Sequence, residues 1–208
     1  MRTTPLIDAA VELNLVPTEY FVLWEELGGW QLDALKAAGL QRHHRLLDVG
    51  CGAMRLGLKA VAYLETGNYY GVDAFVPYLK LARRLAEREV PDRRFELLLS
   101  ESFEFSRFGV TFDFGMAQSV FTHLSAEQCE SCVAELRKAM APGGVFVFTF
   151  LIGAPVTQGF LYGAQQPMRR LAVEDPDYFA KLGARFGARF EPLAFPHPTG
   201  QHVALYRF

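Results

Sequence analysis

The sequence predicts an α/β domain whose doubly wound sheet is mostly parallel and closes with an antiparallel hairpin. Three observations carry that reading. Leu46-Leu47-Asp48-Val49 runs straight into Gly50-Cys51-Gly52, a buried strand delivering the chain into a tight turn ahead of a helix. Between residues 46 and 151, apolar runs of strand length alternate with helical spacing, the order that builds a parallel sheet with helices on both faces. Near the end, the runs 189–195 and 201–208 are joined by Pro196-His197-Pro198-Thr199-Gly200, which is too short for a parallel crossover and requires a hairpin.

The elements follow in order. Residues 1–44 read as an N-terminal helical extension, in which Leu32, Leu35 and Leu40 face the sheet and Tyr20, Phe21, Trp24 and Trp30 form an aromatic cluster. Residues 45–151 form the core of the single domain. Its second strand is Asn68-Tyr69-Tyr70-Gly71-Val72-Asp73, and its third is Phe95-Glu96-Leu97-Leu98-Leu99 with polar Ser100-Glu101-Ser102 at the tip. The fourth strand, Phe112-Asp113-Phe114-Gly115-Met116-Ala117, leads into Gln118-Ser119-Val120-Phe121. Ser125 and Gln128 make a capping box, after which Cys129, Val133, Leu136 and Met140 recur at helical spacing. Pro142-Gly143-Gly144 turns the chain into a fifth strand, Val145-Phe146-Val147-Phe148-Thr149. Residues 152–208 hold a glycine-rich, aromatic segment, a helix opened by Asp175 as N-cap with Pro176 in its first turn, and the hairpin. Pro192 suits an edge strand, where a missing N–H costs no ladder bond.

Composition sets limits. A chain of 208 residues, half of them hydrophobic and 13% aromatic, is long enough for one full core and far from disordered. A net charge of −2 without blocks of like charge gives no electrostatic reason to expect a nucleic-acid partner. No apolar run approaches the roughly 18 residues a membrane span needs, and Met1-Arg2-Thr3-Thr4-Pro5 lacks the apolar centre of a signal peptide. Three cysteines fit a reducing, cytoplasmic address. Cys129 and Cys132 form a lone C-x-x-C with no further ligands at matching spacing, so they read as core positions of a helix and no metal is expected.

The glycine turn points to a nucleotide-like cofactor, because it brings bare main chain and a helix N-terminus to one spot. The dinucleotide fingerprint requires glycine at position 55, where the chain has Arg55, with Gly57 two residues late. A phosphate loop is excluded because no G-K-[ST] follows. A carboxylate at Asp48 suits a cofactor that carries an ammonium group. Asp48-x-Gly50-x-Gly52 resembles the first motif of the class I S-adenosylmethionine-dependent methyltransferases, and the later strand motifs follow in that family's order.

The resemblance implies a Rossmann-like sheet of seven strands with the sixth at the edge. It places the cofactor ammonium near Asp48, with Gly50 and Gly52 lending main chain, and the ribose hydroxyls on Asp73. Adenine would lie near Glu101 and Ser102, and the methionine end near Gln118. Arg55 either pairs with the cofactor carboxylate or makes a surface ion pair. Two departures stand out: Met54 occupies the third glycine position, and the loop at 100–102 lacks the usual glycine-aspartate pair.

Ligands of such sheets bind beyond the carboxyl ends of the strands. Three segments emerge there on the acceptor side, 119–125, 152–172 and 196–201. Within them Phe160, Tyr162 and His197 are candidate substrate contacts. His123 is the candidate base, with a turn-supporting histidine as the alternative. His202 falls on a sheet face, while His43 and His44 precede the first strand at the opposite, solvated edge. The expected activity is methyl transfer to a small-molecule or carbohydrate-like acceptor. The alternatives are a catalytically silent protein of the same fold and an NAD(P) oxidoreductase. Gln118-Ser119-Val120-Phe121 lacks the Asn/Asp-Pro-Pro-aromatic signature of enzymes that methylate exocyclic base amines.

Overall fold

Seven strands make one sheet in the computed structural model, in the spatial order Glu96–Leu99, Tyr69–Asp73, Leu46–Val49, Phe112–Ala117, Met140–Phe150, His202–Arg207 and Arg189–Pro192. The strands are β1 (Leu46–Val49), β2 (Tyr69–Asp73), β3 (Glu96–Leu99), β4 (Phe112–Ala117), β5 (Met140–Phe150), β8 (Arg189–Pro192) and β9 (His202–Arg207). The structure describes residues 21, 23–153, 156–160, 167–170 and 173–208. β1 to β5 pair in parallel, β9 runs antiparallel to β5, and β8 pairs antiparallel with β9 at the edge. The hairpin and the edge position of Pro192 are therefore as expected.

Alternation along the strands divides the core between two faces. Leu47, Tyr70, Phe112, Phe146 and Phe148 pack with α4 (Ala126–Ala139) and α5 (Tyr178–Arg185). Leu46, Tyr69, Phe114, Met116, Val145 and Val147 pack with α1 (Trp24–Ala37), α2 (Gly57–Tyr63) and α3 (Val76–Glu89). Cys129 and Cys132 lie in the first cluster as free, buried thiols. The Ser125–Gln128 capping box is present in full and starts α4.

Some boundaries differ from the sequence reading. Pro142-Gly143-Gly144 does not precede the fifth strand but lies inside β5, and Met140 opens that strand instead of continuing α4. Phe112 faces Met140 while Phe114 faces Val145, so the glycines are absorbed as an irregularity of the ladder. The cap of α5 is Asp177, not Asp175. Asp175 folds back to accept from the Asp177 N–H at 2.9 Å and holds Lys181 at 2.7 Å. Within 152–172, β6 (Val156–Phe160) and β7 (Pro167–Arg170) pair antiparallel as a separate two-stranded sheet. Nothing further is described of Phe160, and Tyr162 lies outside the described residues.

The N-terminal aromatic cluster divides in two. The Phe21 and Trp24 rings meet at a tilt, 5.3 Å between centroids, whereas Trp30 turns to Phe195 and His197; Tyr20 lies outside the described residues. α1 reaches the glycine turn because a Cβ on Gly28 would come within 2.8 Å of the Arg55 carbonyl oxygen. His44 is half-buried rather than solvated, with its ring stacked on Phe114 at 4.9 Å, while His43 is exposed.

Candidate active site

The buried polar side chains of the described residues are Gln31, Asp48, Gln118, Thr122, Thr149, His197 and Gln201. Most sit at or just past the carboxyl ends of strands, and Gln31 reaches the same edge from α1. Burying a polar group costs free energy unless it is hydrogen-bonded, so their convergence marks the place where the fold serves chemistry rather than packing.

The β1 turn is shaped by backbone. Gly50 has φ +69°, and a Cβ there would fall 2.5 Å from Val120 Cγ2. Both strain and space therefore demand glycine. The Gly50 and Cys51 amides donate to the Val72 carbonyl at 2.8 and 3.0 Å, pinning the turn over β2. Met54, at the third glycine position, keeps a left-handed φ of +66° with its side chain fully buried. The departure is one of residue type and not of backbone path, and it is strain of the kind that collects at ligand sites.

Asp48 is buried and accepts from the Tyr69 hydroxyl at 2.6 Å. Gly57 leaves room for that phenol, since a Cβ there would stand 2.6 Å from Tyr69 Oη. Burial pushes the Asp48 carboxyl up to about 7, against the opposing pull of Tyr69 and Arg55. Asp73 at the tip of β2 is half-buried and joins the two turns: its Oδ2 accepts from the Gly52 N–H and its Oδ1 from the Phe75 N–H, both at 2.8 Å. Burial raises its pKa as well. Each carboxylate oxygen retains capacity for a further donor.

Glu101 and Ser102 are exposed in the loop after β3. The Ser100 hydroxyl organises that loop by accepting from the Ser102 N–H at 3.3 Å. Apolar Leu99 and Val76 stand open at the same edge, 46% and 43% exposed.

Across the sheet, the edge beyond β4, β5 and β8 is built from side chains. Arg55 is half-buried; its Nε donates to Gln31 Oε1 at 3.2 Å and its Nη2 donates to Gln118 Oε1. Ser119 takes a left-handed φ of +57°. Its amide donates to Thr149 Oγ1 at 2.7 Å, and its hydroxyl oxygen accepts from Gln118 Nε2 at 2.6 Å and from Gln201 Nε2 at 2.5 Å. His197 is buried beneath the Trp30 ring, 4.4 Å between centroids, while Trp30 Nε1 donates to the Pro196 carbonyl at 2.7 Å. Burial first, and Arg55 second, lower the His197 pKa to about 4, so its ring is neutral at physiological pH.

The structure thus gathers Asp48, Gly50, Gly52, Arg55, Asp73, Gln118 and His197 at one edge. His123 is half-buried just past β4, and its N–H closes the turn by donating to the Val120 carbonyl at 2.8 Å. His202 is exposed on β9, its ring stacked on Phe150. Sequence reasoning missed Gln31, Trp30, Tyr69, Thr149 and Gln201. Only Tyr69 left a signal, since a tyrosine one strand over from Asp48, with glycine at 57, leaves its hydroxyl a place to go.

Residues 47–146 match the family model described as a methyltransferase domain. The fold is similar to that of the CcbJ methyltransferase from Streptomyces caelestis, at 19% identity over 86% of this chain and 95% of that one, with a TM-score of 0.68. It is similar also to an amino pentose methyltransferase from Micromonospora echinaspora, solved with S-adenosylmethionine bound, at 18% identity over 100% and 98% of the two chains and a TM-score of 0.63. A third likeness is to magnesium protoporphyrin IX methyltransferase from Synechocystis PCC 6803, at 11% identity over 100% and 86%, with a TM-score of 0.62. The family match covers just under half of the chain, and the fold is shared with methyltransferases solved with S-adenosylmethionine bound.

Proposed function

We propose that the protein methylates a small-molecule acceptor, with the cofactor lying across the tips of β1 to β4. The observation that carries this reading is a buried acid and a half-buried guanidinium at opposite ends of the glycine turn. Asp48 and Arg55 interact across the glycine turn, an arrangement that complements the ammonium and carboxylate of a zwitterionic amino-acid end. S-adenosylmethionine, when bound, supplies a methyl group already activated on a sulfonium.

The protein's part is alignment and exclusion of water. Asp73 offers its free lone pairs to the ribose hydroxyls while its occupied ones keep the β1 and β2 turns together. Leu99 and Val76 give adenine an apolar platform, with Glu101 and Ser102 at its rim. Gln118, held by Arg55, borders the methionine end. The acceptor enters from the side of Ser119, His197 and the 152–172 segment, where Phe160 and Tyr162 are proposed to contact it. His123 is the proposed base for acceptors that must lose a proton. The balanced charge gives no basis for a nucleic-acid substrate, and among the described residues no helix is long and apolar enough to cross a membrane. We place the protein in the reducing cytoplasm, in keeping with its buried free thiols.

Calorimetric titration with S-adenosylmethionine, S-adenosylhomocysteine and NADH tests the reading. Micromolar binding of the first two, weakened at least tenfold in Asp73→Ala, is expected. NADH binding in their place would return the oxidoreductase. Cofactor binding with no labelled methyl transferred to any of a broad panel of small acceptors would favour the silent protein.

A further inference from the structure

The acceptor side contains a hydrogen-bonding conflict that a ligand would resolve. The main-chain N–H of Thr199 points at His197 Nδ1 at 3.1 Å, and the Thr199 hydroxyl, which can also donate, lies 3.0 Å from the same nitrogen. A backbone amide can only donate, so Nδ1 carries the lone pair and the ring proton sits on Nε2. Independently, Arg55 Nη2 donates to Gln118 Oε1. A guanidinium can only donate, so the Gln118 amide is fixed with its NH₂ facing the other way. That NH₂ lies 3.4 Å from His197 Nε2. One hydrogen of that NH₂ is taken by Ser119 Oγ, so in this tautomer its second hydrogen and His197 Nε2–H face one another as two donors. Beside them, linked through Ser119 Oγ, Gln201 is 8% exposed and its Oε1 has no partner among the described residues. Buried polar groups left this way are uncommon and point to a missing partner.

We infer that His197 Nε2–H and the Gln118 side-chain amide form a two-pronged donor site for an anionic oxygen on the methyl acceptor, so that the acceptor belongs to the carboxylate-bearing small molecules. The inference rests on the methyltransferase reading and adds a substrate class to it. His197 is then a substrate-binding donor and not a base. Its Nδ1 is occupied by Thr199, its Nε2 already holds the proton, and with a pKa near 4 it stays neutral through physiological pH. A neutral imidazole donor of this kind orients an oxygen without giving up its proton. Arg55, behind Gln118, adds positive charge that favours an anion over a neutral oxygen.

The test is ¹⁵N NMR of the full chain saturated with S-adenosylhomocysteine and titrated with sodium acetate at constant ionic strength. The account expects His197 as the Nε2–H tautomer across neutral pH. It expects acetate to move the His197 Nε2–H and Gln118 amide resonances along one saturable curve. His197→Phe should weaken the acetate response of Gln118 about tenfold. His197→Gln, whose amide restores a donor near the Nε2 position, should recover most of it. An Nδ1–H tautomer, or resonances that acetate leaves unmoved, overturns the proposal. A response seen only without S-adenosylhomocysteine also overturns it, because the pair would then belong to the cofactor's own carboxylate. If S-adenosylhomocysteine does not bind at all, the methyltransferase reading falls, while the tautomer and the acetate response still decide whether the donor pair exists.

Discussion

The two halves of the site are built by different means. At the tips of β1 and β2 the geometry is main chain: Gly50 at φ +69°, Gly52 tied to Asp73, and two amides on one Val72 carbonyl. At the tips of β4, β5 and β9 it is side chain: Gln118, Ser119, Thr149 and Gln201 bonded to one another across the sheet, with His197 set against Gln118. A main-chain cradle needs particular φ angles and bare approaches, and so it constrains residue type locally. A side-chain network can be rebuilt from many residue combinations on the same strands. The first half therefore suits a ligand common to a family, and the second a ligand that differs from member to member.

The largest effect is expected at Gly50. Gly50→Ala combines a left-handed φ with a clash against Val120, so a loss of about 3 kcal/mol in urea unfolding is expected, together with loss of S-adenosylhomocysteine binding. A stability unchanged to within about 0.5 kcal/mol would show that the turn is not held as described.

Asp48 gives the next effect, with a definite sign. Its carboxyl is raised from an ordinary 3.8 to about 7 in the folded protein. Between those values the folded state holds a proton that the unfolded chain has released. Stability is therefore fullest below about pH 4 for this group and falls as pH rises through about 7. Asp48→Asn should stabilise the cofactor-free protein at pH 8 by on the order of 2 kcal/mol and flatten that dependence, while weakening cofactor binding. A melting temperature lowered at pH 8 would contradict the assignment. In the wild type, affinity for S-adenosylmethionine should rise with pH up to about 7, and Tyr69→Phe, which removes the hydrogen bond favouring the carboxylate, should move that rise to higher pH.

On the acceptor side, Trp30→Phe removes the bond to the Pro196 carbonyl and should cost about 1 kcal/mol, with cofactor affinity unchanged in calorimetry. The smallest effect sharpens the boundary of the cradle. Glu101→Ala, in an exposed loop, should alter cofactor affinity by no more than about twofold. A tenfold loss would make Glu101 an essential cofactor contact.

This division also explains what the sequence made legible. The glycine turn, the acids ending β1 and β2, the capping box at Ser125 and the terminal hairpin are each specified by neighbours within a few residues. Gly57 was legible only as a glycine two positions late for another motif; its task, making room for Tyr69, requires knowing that β2 pairs with β1. The side-chain network was not legible because its contacts span the chain. Trp30 bonds to a carbonyl 166 residues away, and Ser119 to a side chain 82 residues away. Nor do Gln31 and Gln201 differ in the sequence from surface glutamines. Asp175-Pro176 misled for a local reason: an aspartate that starts an Asx turn and one that caps a helix carry the same signature.

Amide hydrogen exchange with and without S-adenosylhomocysteine tests the central claim most directly. The account predicts added protection at residues 49–56, 73–76 and 99–102 and around Gln118, with residues 196–201 little changed until an acceptor is present. Protection confined to the opposite edge of the sheet, or absent from the β1 and β2 turns, would contradict it.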